Sequence, residues 1–289
     1  MRDQTHSGWL RGFIYSLFLL AGLTTPLASY AARRPTTADT VRFLRQVTFG
    51  PTQDLIAHVQ KVGFDAFLKE QFAAPASDYP VLEFWPQARL ASCTGTCARD
   101  NYTYYQIQRY FFANTLTGQD QLRQRVAFAL SQILVTSGTD VKLPSWMRTY
   151  QQLLYHEAFG NFRQLLYDVT LNPAMGRFLD MVNNRCQNRT PRDVNVCRSG
   201  TSSEPNENYA REVLQLFSVG TFLLNQDGTE QVDGQGNPVF TYNQQTITEF
   251  ARVFTGWILA PDLSGPAAVG GTVPNYRDPM VVRLEQPRK

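Results

Sequence analysis

The sequence predicts a mainly α protein, an irregular multi-helix domain carrying a small β-hairpin near residues 223–242. Three observations carry this. Apolar residues recur at helical spacing in most blocks between 41 and 257. Gly, Pro and capping residues punctuate the ends of those blocks. Short strand-like pieces flanked by turn signals occur in one place, around Asp227-Gly228 and Gly234-Gln235-Gly236-Asn237. With 289 residues, 43% hydrophobic and 18% charged, the chain suffices for one large domain or two small ones and can build a core of good size.

In chain order, residues 1–31 read as a secretory signal peptide. Arg2 and Arg11 make a positive n-region, FIYSLFLLAGL an apolar h-region, and Ser29-Tyr30-Ala31 a small-residue cleavage site. The h-region is too short to span a bilayer comfortably. Export to the periplasm or the extracellular space follows, with no membrane span after cleavage. Residues 32–40 read as a flexible leader. The helical domain then runs from 41 to 257. VRFLRQVTFG stops at Gly50-Pro51; Thr52 caps TQDLIAHVQKVG, which stops at Gly63; FDAFLKEQF follows. NYTYYQIQRYFFANTLT is aromatic and amphipathic. QLRQRVAFALSQILVTS is the clearest long helix, with Leu122, Val126, Ala129, Leu130, Ile133 and Leu134 as its inward stripe. Arg123 falls inside that stripe, so it either snorkels outward or meets a buried carboxylate. Residues 145–181 read as two or three helices broken at Gly160 and Asn172-Pro173. Asn243 caps NQQTITEFARVFTGW, with Tyr242 and Ile247 as a hydrophobic staple. Residues 258–289 form an irregular tail.

The net charge of +3 gives no argument for nucleic acid. The four cysteines, Cys93, Cys97, Cys186 and Cys197, form an even set in an exported chain, which points to disulfides. Local pairing within CTGTC and CQNRTPRDVNVC is the simplest of three connectivities. A zinc site is disfavoured by the wide second spacing. His58 and His156 stand far apart and make no metal triad; His156 beside Glu157 is a binding candidate. A calcium loop at Asp227, Glu230 and Asp233 fits no EF-hand spacing, and paired turns fit better. No nucleotide-binding or nucleophile motif is present, so cofactor and metal are unassigned.

The most unusual stretch is EPNENYAREVLQLFSVG, 204–220. On a helical wheel Tyr209, Ala210, Val213, Leu214, Leu216 and Phe217 share one arc. Glu207, Asn208, Arg211, Glu212, Gln215 and Ser218 share the other. The polar arc is either water-facing or lines a cleft. Glu207, Arg211 and Glu212 are the catalytic candidates; Asn208, Gln215, Arg123 and His156 are the binding candidates. Glu207 and Glu212 sit about 140° apart around the axis and about 7.5 Å along it. Their carboxylates diverge, so they make no retaining-glycosidase pair by themselves. Asp180 is another nearby acid.

Five blocks follow one another in order: RFLRQVTFGPT, QLRQRVAFALSQILVTS, HEAFGNFRQLLYDVTLNPAMGRFLD, PNENYAREVLQLFSVG and YNQQTITEFARVFTGW. In order and wording they resemble the bacterial family called domain of unknown function 1800 (DUF1800). The resemblance implies an exported, largely helical protein. It also implies a possible partner, because such chains are often encoded beside a second exported family similar to sulfatases and alkaline phosphatases. It carries no catalytic residue over. Family members usually run on beyond a stretch like NYRDPMVV into a His-Asp segment. Residues 258–289 therefore read as the start of a C-terminal portion that is missing here. The expectation is an envelope or extracellular accessory protein acting with an exported partner. The alternative is a hydrolase on an envelope or extracellular polymer, with Glu207 or Glu212 as acid/base.

Overall fold

The structure is a computed structural model that describes residues 34–80, 82, 90–142, 144–185, 204–261 and 275–283. The signal-peptide segment, Cys186 and Cys197 lie outside them. The fold is mainly α. Three short helices open it, α1 (Thr37–Val47), α2 (Gln53–Val62) and α3 (Phe64–Ala73). Next come α4 (Thr96–Tyr102), α5 (Tyr105–Thr117) and α6 (Gln121–Ile133). Then follow α7 (Pro144–His156), a 3₁₀ turn at Glu157–Phe159, α8 (Phe162–Leu171) and α9 (Pro173–Phe178). The last two helices are α10 (Asn208–Gln215) and α11 (Gln244–Val253). Strands β1 (Trp257–Ile258) and β2 (Val281–Val282) pair antiparallel.

Local chemistry sets most of these boundaries. Thr52 Oγ1 accepts from Leu55 N, and Asn243 Oδ1 from Thr246 N, so both predicted caps hold orphan amides of a first turn. Helix α1 begins at Thr37, inside the segment read as leader, because Thr36 Oγ1 accepts from Asp39 N. Asn172 does the same for α9, whose first residue is Pro173.

The packing makes two cores. Leu44, Val59 and Phe67 form a small one between α1, α2 and α3. The large one runs through α7, α8, α9, α10 and α11 and includes Tyr150, Leu154, Val169, Met175, Tyr209 and Ile247. Full burial of such a side chain contributes about 1.5–3 kcal/mol.

Helix α6 departs from its sequence pattern. It ends at Ile133, and its buried residues are Gln121, Gln124 and Ala127, while Ala129 and Ile133 are exposed. The reason is polar. Gln121 Nε2 donates to the Thr115 and Gly118 carbonyls at 3.1 and 2.8 Å, and its Oε1 accepts from Phe49 N at 3.3 Å. A glutamine thereby closes the end of α5; of the predicted stripe, Leu134 is buried and Leu130 packs against the main core, while Ala129 and Ile133 face out.

The described parts of the tail, residues 258–261 and 275–283, are more ordered than their composition predicts. Asn275 and Met280 are buried, Met280 N donates to Leu171 O at 2.7 Å, and Trp146 packs edge-on against Tyr276. Gly176 permits this return, since a Cβ there would collide with the Met280 sulfur. Cys93 and Cys97 are joined by a disulfide.

The predicted hairpin is a closed figure. Three antiparallel bridges, Phe222 with Phe240, Leu224 with Glu230 and Val232 with Pro238, connect three short pieces. Each turn is a three-residue loop with a left-handed glycine, Gly228 at φ 85° and Gly236 at φ 87°. Asp227 and Asp233 spend carboxylate oxygens on these turns, accepting from Thr229 N, and from Gln235 N and Asn237 N.

Candidate functional site

The distinctive 204–220 block becomes helix α10 only over Asn208–Gln215. Its entry is clamped by Asn184, a buried side chain. Asn184 Nδ2 donates to Asn206 O at 3.0 Å, and its Oδ1 accepts from Asn206 N at 2.8 Å. Asn184 O also accepts from Gly256 N at 3.0 Å, so one residue ties α10 to the segment after α11.

The buried face carries Tyr209, Ala210 and Val213, followed by Phe217. Tyr209 donates its hydroxyl to Thr170 Oγ1 at 2.7 Å and sets its ring edge-on against Phe254 at 4.9 Å. Burial pushes its phenol well above the ordinary value. Leu216 does not join this face. The helix ends one residue earlier, and Leu216 is exposed.

The polar face is divided: Glu207, Arg211 and Glu212 are partly buried, while Asn208, Gln215 and Ser218 are exposed. Glu207 accepts from Arg211 Nη2 at 3.0 Å, from Gln244 Nε2 at 3.0 and 2.9 Å, and from Thr248 Oγ1 at 2.8 Å. Gln244 and Thr248 lie one turn apart on α11, so the Glu207 carboxylate fastens α10 to α11. Partial burial pushes this carboxyl up. The hydrogen bonds from Gln244 and Thr248 and the Arg211 charge outweigh it and hold the pKa below the usual glutamate value. Glu207 therefore stays ionised at neutral pH and is a poor proton donor.

The other candidates scatter. Asn208 Nδ2 donates to Asp180 Oδ2 at 3.2 Å, so Asp180 does join the block. Glu212 points away from Glu207's network; its Oε2 is buried with no hydrogen-bond partner among the described residues. Gln215 is exposed. Among the described residues Arg123 meets no carboxylate. Its guanidinium lies over the Phe159 ring at 4.6 Å and the Tyr155 ring at 5.7 Å, and it reaches Tyr155 O at 3.5 Å.

His156 belongs to a second polar group. The stripe Arg148, Gln152 and His156 on α7 holds residues 78–80 in place. Gln152 Oε1 accepts from Tyr79 N at 2.8 Å, which aims its Nε2 at Asp78 Oδ1, 2.9 Å away. His156 Nε2 lies 3.0 Å from the same oxygen. Arg148 donates to Tyr79 O at 2.9 Å and Pro80 O at 3.2 Å. Burial lowers the pKa of Arg148 and pushes Tyr79 up to about 12. A cleft of about 380 Å³ opens beside this stripe, also lined by Asp168 and Arg277.

Gln244, Thr248, Asn184 and Asp78 are the site residues that sequence reasoning missed. The spacing of Gln244 and Thr248 was visible; their shared carboxylate was 37 and 41 residues away. Among the described residues, no group of three or more His, Cys, Asp or Glu side chains is placed to hold a metal ion. No described helix is long and apolar enough to cross a membrane.

No curated protein and no solved structure matches the chain. Residues 42–282 match the family described as Protein of unknown function (DUF1800), which spans both helix cores, the α10–α11 staple and the β1–β2 pair. The chain belongs to the DUF1800 family.

Proposed function

We propose that the protein is an exported accessory protein that works by binding an exported partner rather than by turning over a substrate. The observation that supports this most directly is the engagement of Glu207. The strongest acid/base candidate of the block accepts from three side chains and joins two helices. A group so employed serves architecture. Export is supported by the n-region and h-region pattern and by the Cys93–Cys97 disulfide. The partner proposed is the sulfatase- or phosphatase-like exported protein that the family resemblance implies.

One atom favours a second reading. Glu212 Oε2, buried and unpartnered among the described residues, is a carboxylate oxygen not committed to holding the fold. A hydrolase acting on an envelope or extracellular polymer would use it. The test is a pair of variants, Glu207→Gln and Glu212→Gln, each assayed for melting, for co-purification with that partner and for release of soluble fragments from cell-wall polymer. The accessory reading expects co-purification in the wild type and in Glu212→Gln, with no fragment release by any form. Fragment release by the wild type that disappears in Glu212→Gln, with melting unchanged, overturns it.

A further inference from the structure

The segment between α10 and α11 carries an arrangement that neither helix explains. Leu223 N donates to Val239 O at 2.9 Å, Gln231 N to Leu223 O at 2.8 Å, and Val239 N to Gln231 O at 2.9 Å. The three bonds run in a circle, and their members are eight residues apart in sequence. The bridges repeat at the same interval, so the segment is a ring of three pieces with approximate threefold symmetry.

Residues directly opposed across an antiparallel bridge put their side chains on one side. Phe222, Leu224, Val232, Pro238 and Phe240 therefore share a face with Glu230 as its one polar member. The Phe222 and Phe240 rings touch at 5.0 Å between centroids. The equivalent positions Leu224, Val232 and Phe240 are 56%, 59% and 63% exposed. Residues 223–238 are exposed throughout, so no described part of the chain covers this face. Single exposed apolar residues are ordinary; four exposed and one half-buried on one side of a hydrogen-bonded ring mark an interaction surface.

Charge decides what kind of surface fits. No Lys, Arg or His occurs between Arg211 and Arg252, while Asp227, Glu230 and Asp233 stand on the ring. Backbone amides of Thr229 and of Asn237 and Gln235 hold the two aspartates below their usual values, so the charge persists into mild acid. An anionic lipid surface repels such a rim. A protein groove with an apolar floor and basic edges complements it.

We propose that the ring at residues 221–241 is the docking surface of this protein, and that its occupant is a partner protein presenting an apolar groove bordered by Lys or Arg. This rests on the accessory reading. The ring makes the surface rigid before contact, which lowers the ordering cost of binding.

The test is site-specific photocrosslinking in the native host, with the full chain carrying benzoylphenylalanine at Val232 and, in a second strain, at Leu116, an exposed residue of α5. The expected result is one protein adduct from Val232, none from Leu116, and a captured peptide with apolar residues flanked by Lys or Arg. Leu224→Ser with Phe240→Ser in the same chain should cut adduct yield about tenfold. Glu230→Lys should cut it several-fold, because the charge is reversed without touching a turn. The exposed positions keep these variants folded, checked by melting. A lipid adduct, an adduct to a second copy, an acidic captured peptide, or a yield indifferent to the variants overturns the proposal. A Leu116 adduct with none at Val232, while the partner still co-purifies, removes the ring and leaves the accessory role. Absence of any co-purifying partner removes the accessory role itself.

Discussion

Helices α10 and α11 and the ring between them are neighbours in sequence with opposite logic. The helices carry the more highly charged sequence, yet Glu207, Gln244 and Thr248 are turned toward one another and bonded. The ring carries Leu224, Val232 and Phe240, yet these face water. A polar cluster that satisfies its own donors and acceptors holds a fold together, and an apolar face left bare has work outside it. Glu207 and Arg211 thus serve the scaffold, and the plain-looking connection between the helices is the better candidate for contact with another molecule.

Four measurements put this contrast at risk. The largest effect belongs to Tyr209→Ala, which empties a site 1% exposed and removes the hydrogen bond to the Thr170 hydroxyl. A loss of about 3–5 kcal/mol is expected in denaturant unfolding; a loss under about 1 kcal/mol would mean that α10 is not part of the main core. Glu207→Gln comes next, at about 1–2 kcal/mol, since it removes a charged acceptor that is partly open to water. The effect has a pH signature. The folded pKa lies below the unfolded one, so the stabilisation is complete above the unfolded value and is lost as pH falls through the folded value. The melting difference between wild type and Glu207→Gln should therefore be full at pH 7 and shrink below about pH 4. A difference that grows in acid would contradict the network.

In the ring, Gly236→Ala should cost about 1 kcal/mol. Nothing lies within 4 Å of the added methyl, so the whole cost is the left-handed backbone at φ 87°. Proton exchange at Gln231 and Val239 amides would report the local loosening. Val232→Ser should change stability by less than about 0.5 kcal/mol. A large destabilisation there would show that the apolar face is buried in the working protein by its own chain.

The helical class was legible because it depends on local rules. Thr52 and Asn243 act as caps as their sequence positions require, and Gly63 ends α2. The turn glycines and aspartates of 225–237 announced reversals of the chain. What was not legible involved partners distant in sequence. The predicted stripe left out Gln121, because the carbonyls that bury it lie at the end of the preceding helix. His156 looked like a site residue, and its partner Asp78 lies 78 residues earlier.

The amino-acid sequence by itself determined the helices, their caps, the two turns and the family, since each follows from short-range spacing or from ordered blocks of residues. Only the tertiary structure decided that Glu207 is a staple, that residues 275–283 return to the core, and that Phe222 meets Phe240 to close the ring. The physical reason is the same in all three. A hydrogen-bond acceptor, a buried methionine and a strand edge are each completed by a group that chain spacing alone does not identify.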